Sequence, residues 1–338
     1  MPSEFALSEF TLIDRYFKRS TQHTVTGVGD DGAIVRPTPG MELVVSTDML
    51  VAGTHFLDDA DPHDLGWKTL AVNVSDMAAM GAQPRWALLA AALPGMDNAA
   101  AESWIERFAQ GFFACADQFG IDLIGGDTTR GPRNFCVTLF GEVPAGRALL
   151  RSGAKPGDEI WVSGRPGRAA MGLAHLQGHT TLGEPALTDC LAALHRPQPR
   201  VALGLALCAG QPALATAAID VSDGLLADLG HVLDASGVAA KLEIAVPPAP
   251  TFGHPTIERP AFERDYYLEC YLAGGDDYEL VFTAPAARHA EIEALASTLQ
   301  LALTCIGTIV EGKAGGVDLR DTQGQVIAVS RRGYDHFA

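Results

Sequence analysis

The sequence predicts an α/β chain of two domains, and three observations carry that reading. Its 338 residues exceed the ~100–200 typical of one domain. Strand-like and helix-like stretches follow one another along it, and a hydrophobic content of 47% is ample for globular cores. Arg147–Gly157 (R-A-L-L-R-S-G-A-K-P-G) is basic, glycine-rich and turn-like. We place the domain boundary close to it, giving domains of 1–148 and 149–338.

Ser8 is positioned to cap a first helix that carries Leu12, Ile13, Tyr16 and Phe17 on one face. The stretch Thr26–Val35 (T-G-V-G-D-D-G-A-I-V) follows. Gly27, Gly29 and Gly32 spell G-x-G-x-x-G, but the dinucleotide fingerprint follows a strand and opens a helix. Here Asp30 and Asp31 fill the cradle, and Ala33-Ile34-Val35 before Pro37 reads as a strand. Adjacent carboxylates repel unless cations or solvent separate them. Taken alone, the loop is either a solvated turn or one wall of a metal site.

Glu42–Asp48 reads as a strand ending in Ser46, Thr47 and Asp48. Asp61-Pro62-His63-Asp64 opens a mostly apolar helix that closes before Gly81. Asn73 and Asp76, three apart, share one side of it. Trp86–Leu93 is a buried strand. Asn98 caps a helix with Ile105, Phe108, Phe112 and Phe119 as core, and Gly120 ends it. Ile121–Ile124 leads into Gly125-Gly126-Asp127, and Phe135–Val143 is a strand. Beyond the boundary, Glu159–Ser163 is a strand, Ala169–Leu176 a helix, and Arg196–Arg200 a rigid turn before a helix at Val201. Ile219–Asp223 forms a further acidic site before a helix to Ala235. Residues 246–260 are proline-rich and read as an excursion. Gly274–Leu280 (G-G-D-D-Y-E-L) repeats the glycine-acid pattern before a strand.

Acids beside glycine or at a strand end thus recur at 30/31, 48, 127, 220/223 and 276/277, with Asp76 added from a buried helix. Five such sites, each attached to an apolar element, point to convergence. Oxygen-only donors favour Mg²⁺ over zinc or copper, with phosphates and water completing the octahedron. A net charge of −17 argues against nucleic acid or an anionic membrane as the main partner. No stretch supplies the ~20 apolar residues of a membrane span, and the N-terminus has no signal-peptide character. The six scattered cysteines contain no C-x-x-C pair and read as reduced thiols of a cytoplasmic protein. No Walker A motif and no kinase-type catalytic loop occurs. A bound nucleotide would therefore be neutralised by metals and a few arginines, with Arg151 the best placed.

These motifs together resemble the thiamine-monophosphate kinase family, in order over nearly the whole chain. The matching segments are G-V-G-D-D-G-A, S-T-D-M-L-V-A-G-T-H-F, K-T-L-A-V-N-V-S-D-M-A-A-M-G-A-Q-P, L-I-G-G-D-T-T-R-G, R-S-G-A-K-P-G-D, R-P-Q-P-R, A-I-D-V-S-D-G-L, G-G-D-D-Y-E-L-V-F-T and G-Y-D-H-F. The wider superfamily includes aminoimidazole-ribonucleotide synthetase and selenophosphate synthetase. The resemblance implies direct transfer of the γ-phosphoryl group of ATP onto thiamine monophosphate, giving thiamine diphosphate without a phosphoenzyme. It implies an N-terminal mixed-sheet domain that binds ATP and Mg²⁺ and forms a homodimer, and a C-terminal domain closing the cleft. By the same resemblance Asp30, Ser46, Thr47, Asp48, Asp76, Asp127, Asp220 and Asp223 are magnesium ligands, with Asp48, Asp127 and Asp220 central to catalysis. Gly126, Asp127, Arg151 and Ser222 are implied nucleotide contacts, and His55, Asp276 and Tyr334 thiamine contacts.

Two positions depart from the family pattern. Asp276 stands where Glu is usual, and Arg168 where an acid is common. Bland readings stand beside the functional ones: His55 as a packed histidine, Tyr334 as a tail anchor, Asp31 and Asp277 as turn-formers, Lys68 as the partner of Asp64. Competing functions are another ATP-dependent synthetase of the superfamily, a Mg²⁺-dependent phosphohydrolase, and a silent nucleotide-binding protein. No cysteine precedes Asp30, where selenophosphate synthetase carries a reactive one.

Overall fold

The computed structural model describes residues 8–95, 98–245 and 260–334. Most of the proline-rich excursion and the last three residues of the G-Y-D-H-F motif lie outside them. The chain divides into two compact units, with the main break between Gly146 and Arg147.

In the first unit, Ser8 accepts the Thr11 amide at 3.2 Å and caps α1 (Glu9–Leu12), which runs on as a π-helical turn to Phe17. A small hairpin of β1 (Thr24–Thr26) and β2 (Ile34–Val35) brackets the glycine-acid loop. The main elements are β3 (Met41–Val51), α2 (Pro62–Ala79), β4 (Gln83–Leu93), α3 (Ala99–Phe119), β5 (Asp122–Arg130) and β6 (Asn134–Pro144). The sheet order is β3-β6-β4-β5, antiparallel except for β4–β5. Caps lie where local chemistry predicts. Asp61 accepts the His63 amide, Asn98 the Ala101 amide, both at 2.9 Å, and Gly120 is left-handed at φ 68°. Helices α2 and α3 cross closely: a Cβ on Gly66 would lie 2.0 Å from the Phe108 carbonyl, and one on Gly111 1.8 Å from that of His63. Ile105, Phe108 and Phe112 are fully buried, and Phe108 stacks on Phe135 at 4.3 Å between ring centroids.

Two strands outrun their sequence signal. β3 continues past Asp48 to Val51 because β6 keeps pairing with it up to Val51–Asn134. β5 continues through Gly126 and Asp127 to Arg130, paired with β4 up to Leu93. The acids expected at strand ends therefore sit within strands.

The second unit contains β7 (Asp158–Ser163), α4 (Arg168–Leu176), α5 (Ala186–His195), α6 (Val201–Cys208), β8 (Ala217–Val221) and α7 (Leu225–Ser236). It continues with β9 (Ala239–Ile244), α8 (Pro260–Ala273), β10 (Glu279–Pro285), α9 (His289–Leu299), β11 (Leu303–Val310) and β12 (Val317–Asp321). Its six strands run β12-β9-β11-β7-β10-β8, antiparallel but for β12–β9. Ile160, Ile219 and Val281 of the sheet share one core with Leu229 and Leu233 of α7 and Leu268 and Leu272 of α8. With mixed, mainly antiparallel sheets, the class is α+β.

Glu142 on β6 fastens the first sheet to the segment before β3. It is 4% exposed and accepts the Thr38 amide at 2.5 Å, the Thr38 hydroxyl at 3.0 Å and Arg85 Nε at 3.0 Å. Burial alone would raise its pKa; the Thr38 and Arg85 bonds outweigh that and hold it below the usual range. A depressed carboxylate stabilises the fold above its unfolded pKa and loses that contribution as pH falls through its folded value. Glu142→Gln should therefore cost about 1–3 kcal/mol at pH 7, in urea denaturation. The gap to wild type should narrow as the pH drops below ~4.

Candidate active site

On β3 the two-residue period of a strand sorts the predicted ligands. Ser46 and Asp48 share the face of the buried Val44 and Leu50, whereas Thr47 shares the opposite, exposed face with Val45 and Met49. The Thr47 hydroxyl donates to the Val137 carbonyl at 3.0 Å. Helix α2 supplies the other half. The Ser46 hydroxyl donates to the Asp76 carboxylate, and the Asp48 amide donates to Asn73 Oδ1 at 3.0 Å. Asn73 is fully buried. The i, i+3 pair on α2 thus faces β3, and its amide side chain pins the backbone that carries Asp48.

Asp30, Asp31, Gly126 and Asp127 line one cavity of about 960 Å³ within the first unit, whose apolar wall includes Phe17 and Phe140. Asp30 Oδ1 accepts the Asp31 amide at 3.0 Å, so Asp30 itself stabilises the turn, the role expected of Asp31. Gly126 has φ 145°, and a Cβ there would lie 1.8 Å from the Leu89 carbonyl. Only glycine lets β5 run this close to β4 at that angle. At the start of this strand Asp122 accepts the Gln22 and His23 amides at 2.9 and 2.7 Å and the Thr24 hydroxyl at 2.7 Å. It anchors the segment that leads into the glycine-acid loop. His55 Nδ1 accepts the Val51 amide at 3.1 Å, which leaves the proton of a neutral ring on Nε2.

In the second unit, backbone bonds gather three distant motifs. The Asp276 amide donates to Ser222 O and the Tyr278 amide to Val221 O, both at 2.8 Å, and the Tyr334 amide to Asp223 O at 2.9 Å. Asp220 lies on β8 opposite Leu280 and is 5% exposed. Beneath the 222–224 loop, Asp228 Oδ2 accepts the amides of Ser222, Asp223 and Gly224 at 3.0–3.1 Å. Burial, with the charge of Asp223 added, pushes Asp228 up to about 7. Asp277 holds a different loop from its own: its carboxylate accepts the Gly167 amide at 2.6 Å, and burial raises its pKa well above the usual range. Arg168 pairs with Asp189 at 2.7 Å. Arg151 is exposed, and its carbonyl accepts the Ser236 hydroxyl at 3.2 Å.

The structure thus joins Ser46 with Asp76, places Asp30 and Gly126–Asp127 on one cavity, and gathers Ser222, Asp223, Asp276 and Tyr334. Among the described residues, no three His, Cys, Asp or Glu side chains lie close enough to hold a metal ion. Sequence reasoning missed Asp122, Asp228 and Tyr278. A first-turn acid on α7 was the one local sign of Asp228.

Two family models match the chain: AIR synthase related protein, N-terminal domain, over residues 29–143, and AIR synthase related protein, C-terminal domain, over residues 155–320. A thiamine-monophosphate kinase of Escherichia coli K12 is 44% identical over 337 residues, 98% of this chain and 99% of the relative. The chain belongs to the thiamine-monophosphate kinase family. A solved thiamine-monophosphate kinase from Stenotrophomonas maltophilia K279a is 45% identical, with a TM-score of 0.78 over 95% of this chain and 98% of that one. A second structure, AaThiL complexed with AMPPCP and TMP, is 31% identical, with a TM-score of 0.71 over 98% and 97% of the two chains.

Gly126→Ala forces a Cβ into the Leu89 carbonyl and an L-residue into φ 145°. It should destabilise the protein by about 3 kcal/mol or more, seen as a lower melting temperature or loss of soluble protein.

Proposed function

We propose that this chain transfers the γ-phosphoryl group of ATP directly to the phosphate of thiamine monophosphate, producing ADP and thiamine diphosphate. The observation that carries this is 44% identity to a thiamine-monophosphate kinase over 98% of this chain and 99% of the relative, supported by the relative solved with AMPPCP and TMP. Phosphoryl transfer asks little covalent chemistry of a protein; it needs in-line positioning and charge neutralisation.

The donor set fits a hard cation. Asp30, Ser46, Asp48, Asp76, Asp127, Asp220 and Asp223 offer only oxygen, and Ser46 already touches Asp76. Mg²⁺ usually takes one or two carboxylates, with phosphates and water filling the rest, so pairs of acids suit it. We assign these residues as magnesium ligands. Thr47 joins them through its carbonyl, since its hydroxyl faces the other side of β3. When bound, magnesium neutralises phosphate oxygens so that two phosphates can approach. Gly126, Asp127, Arg151 and Ser222 hold the nucleotide: the cavity gives an apolar wall beside Gly126, and Arg151 gives exposed positive charge. His55 donates from Nε2 to the acceptor phosphate. Asp276 pairs with the aminopyrimidine, and the Tyr334 ring, 48% exposed, stacks on the cationic heterocycle.

We assign residues 1–148 to ATP and magnesium binding and to dimerisation, and residues 149–338 to closing the cleft. A homodimer is supported by edge strand β3, whose outward row Leu43, Val45 and Met49 is 42–56% exposed; such a row asks for a cover. Among the described residues no helix is long and apolar enough to cross a membrane, and a cytoplasmic location is in keeping with the reaction.

Incubation with ATP, Mg²⁺ and thiamine monophosphate should yield ADP and thiamine diphosphate in equal amounts. Free phosphate without thiamine diphosphate would indicate a phosphohydrolase and sink the kinase reading. Asp48→Asn removes charge and keeps volume. It should lower turnover by ~100-fold or more with unchanged circular dichroism; activity within a few-fold of wild type at saturating Mg²⁺ would overturn the role given to Asp48.

A further inference from the structure

Two residues of the Gly274–Leu280 loop adopt the left-handed backbone that L-residues rarely take: Asp276 at φ 68° and Tyr278 at φ 51°. Such a conformation persists only where the surroundings over-determine it, and here they do. The Asp276 and Tyr278 amides are bound by the carbonyls of Ser222 and Val221, each at 2.8 Å. Between them Asp277 is tied to the Gly167 amide at 2.6 Å. Just beyond, Glu279 receives Arg200 through two bonds of 2.6 Å and the Ser163 hydroxyl at 2.6 Å. Every residue from 276 to 279 is therefore pinned.

The result is a specific side-chain contact. The Tyr278 residue is 9% exposed, and its hydroxyl donates to Asp276 Oδ1 at 3.2 Å. A short carboxylate on a loop otherwise samples several rotamers. A hydroxyl donor selects one orientation and occupies one of the several acceptor positions of a carboxylate.

We propose that Tyr278 is a positioning residue for acceptor recognition. Its hydroxyl fixes the Asp276 carboxylate in the orientation that meets the amine-bearing ring of the phosphoryl acceptor. It acts on acceptor binding and leaves the nucleotide side untouched. The proposal rests on the reading of Asp276 as an acceptor contact, and it adds a residue that never touches the substrate. Tyr278→Phe keeps the ring and removes only the donor, which makes it the informative variant.

Wild-type enzyme is first assayed for thiamine diphosphate formation; failure there overturns the functional reading, and this proposal with it. With activity in hand, Tyr278→Phe should raise KM for thiamine monophosphate about five- to tenfold. KM for ATP and kcat should stay within about twofold, because only an interaction shared by ground and transition states is lost. Asp276→Ala and the double variant close a cycle: Tyr278→Phe should cost nothing further once the carboxylate is gone. The Asp276→Ala arm reads the acceptor KM even if Tyr278→Phe folds poorly, since the loop's backbone bonds do not involve that side chain. An equal penalty from Tyr278→Phe with and without Asp276 would overturn the proposal. So would a matching rise in KM for ATP, or a fall in melting temperature with an unaltered acceptor KM.

Discussion

A carboxylate shut away from water must be given hydrogen-bond donors, and this chain supplies many of them from its own backbone. Asp122 takes the amides of residues 22 and 23, Asp228 those of 222–224, Asp277 that of Gly167, and Glu142 that of Thr38. Each fastens a loop that would otherwise be free to move. Three of the acids proposed as ligands sit on those loops or close to them: Asp30 on the loop after the segment that Asp122 holds, Asp223 above Asp228, and Asp276 next to Asp277. The chain uses one chemical group for two purposes: Asp122, Glu142, Asp228 and Asp277 spend lone pairs on main-chain amides, whereas the acids proposed as ligands include both the partly exposed Asp48 and the buried Asp220.

That division explains what was legible in the sequence. Helix caps at Ser8, Asp61 and Asn98 and the stop at Gly120 are local events, set by side chains within a few residues, and they stand where the pattern put them. Strand ends are different. β3 and β5 run beyond their apolar cores because partners far along the chain keep offering hydrogen bonds. The strand period already implied that Thr47 faces away from Ser46 and Asp48, and only the pairing made that visible. Helix α5 and strands β9, β11 and β12 left no motif to read, and the three strands make up one half of the second unit's sheet.

The candidate site was legible by motif and not by role. Nothing in the letters distinguishes Asp228 from Asp223, or Asp30 from Asp31. In space they differ: Asp228 accepts the three main-chain amides of residues 222–224, and Asp30 accepts that of Asp31. Arg168 is a departure from the family pattern that finds its own partner in Asp189, so the change is absorbed locally. Asp276 is a departure of another kind. Its shorter side chain lies within reach of the Tyr278 hydroxyl, and aspartate tolerates the left-handed backbone better than most residues.

The way Tyr334 is held has an evolutionary side. Its main-chain amide, and not its ring, is bonded to the Asp223 carbonyl, so any residue except proline could keep that tether. This tether therefore does not depend on which side chain the residue carries. Under the role proposed for Tyr334, a change of ring to suit a different heterocycle leaves this main-chain bond in place. Sites built this way can drift in specificity while their scaffold stays still.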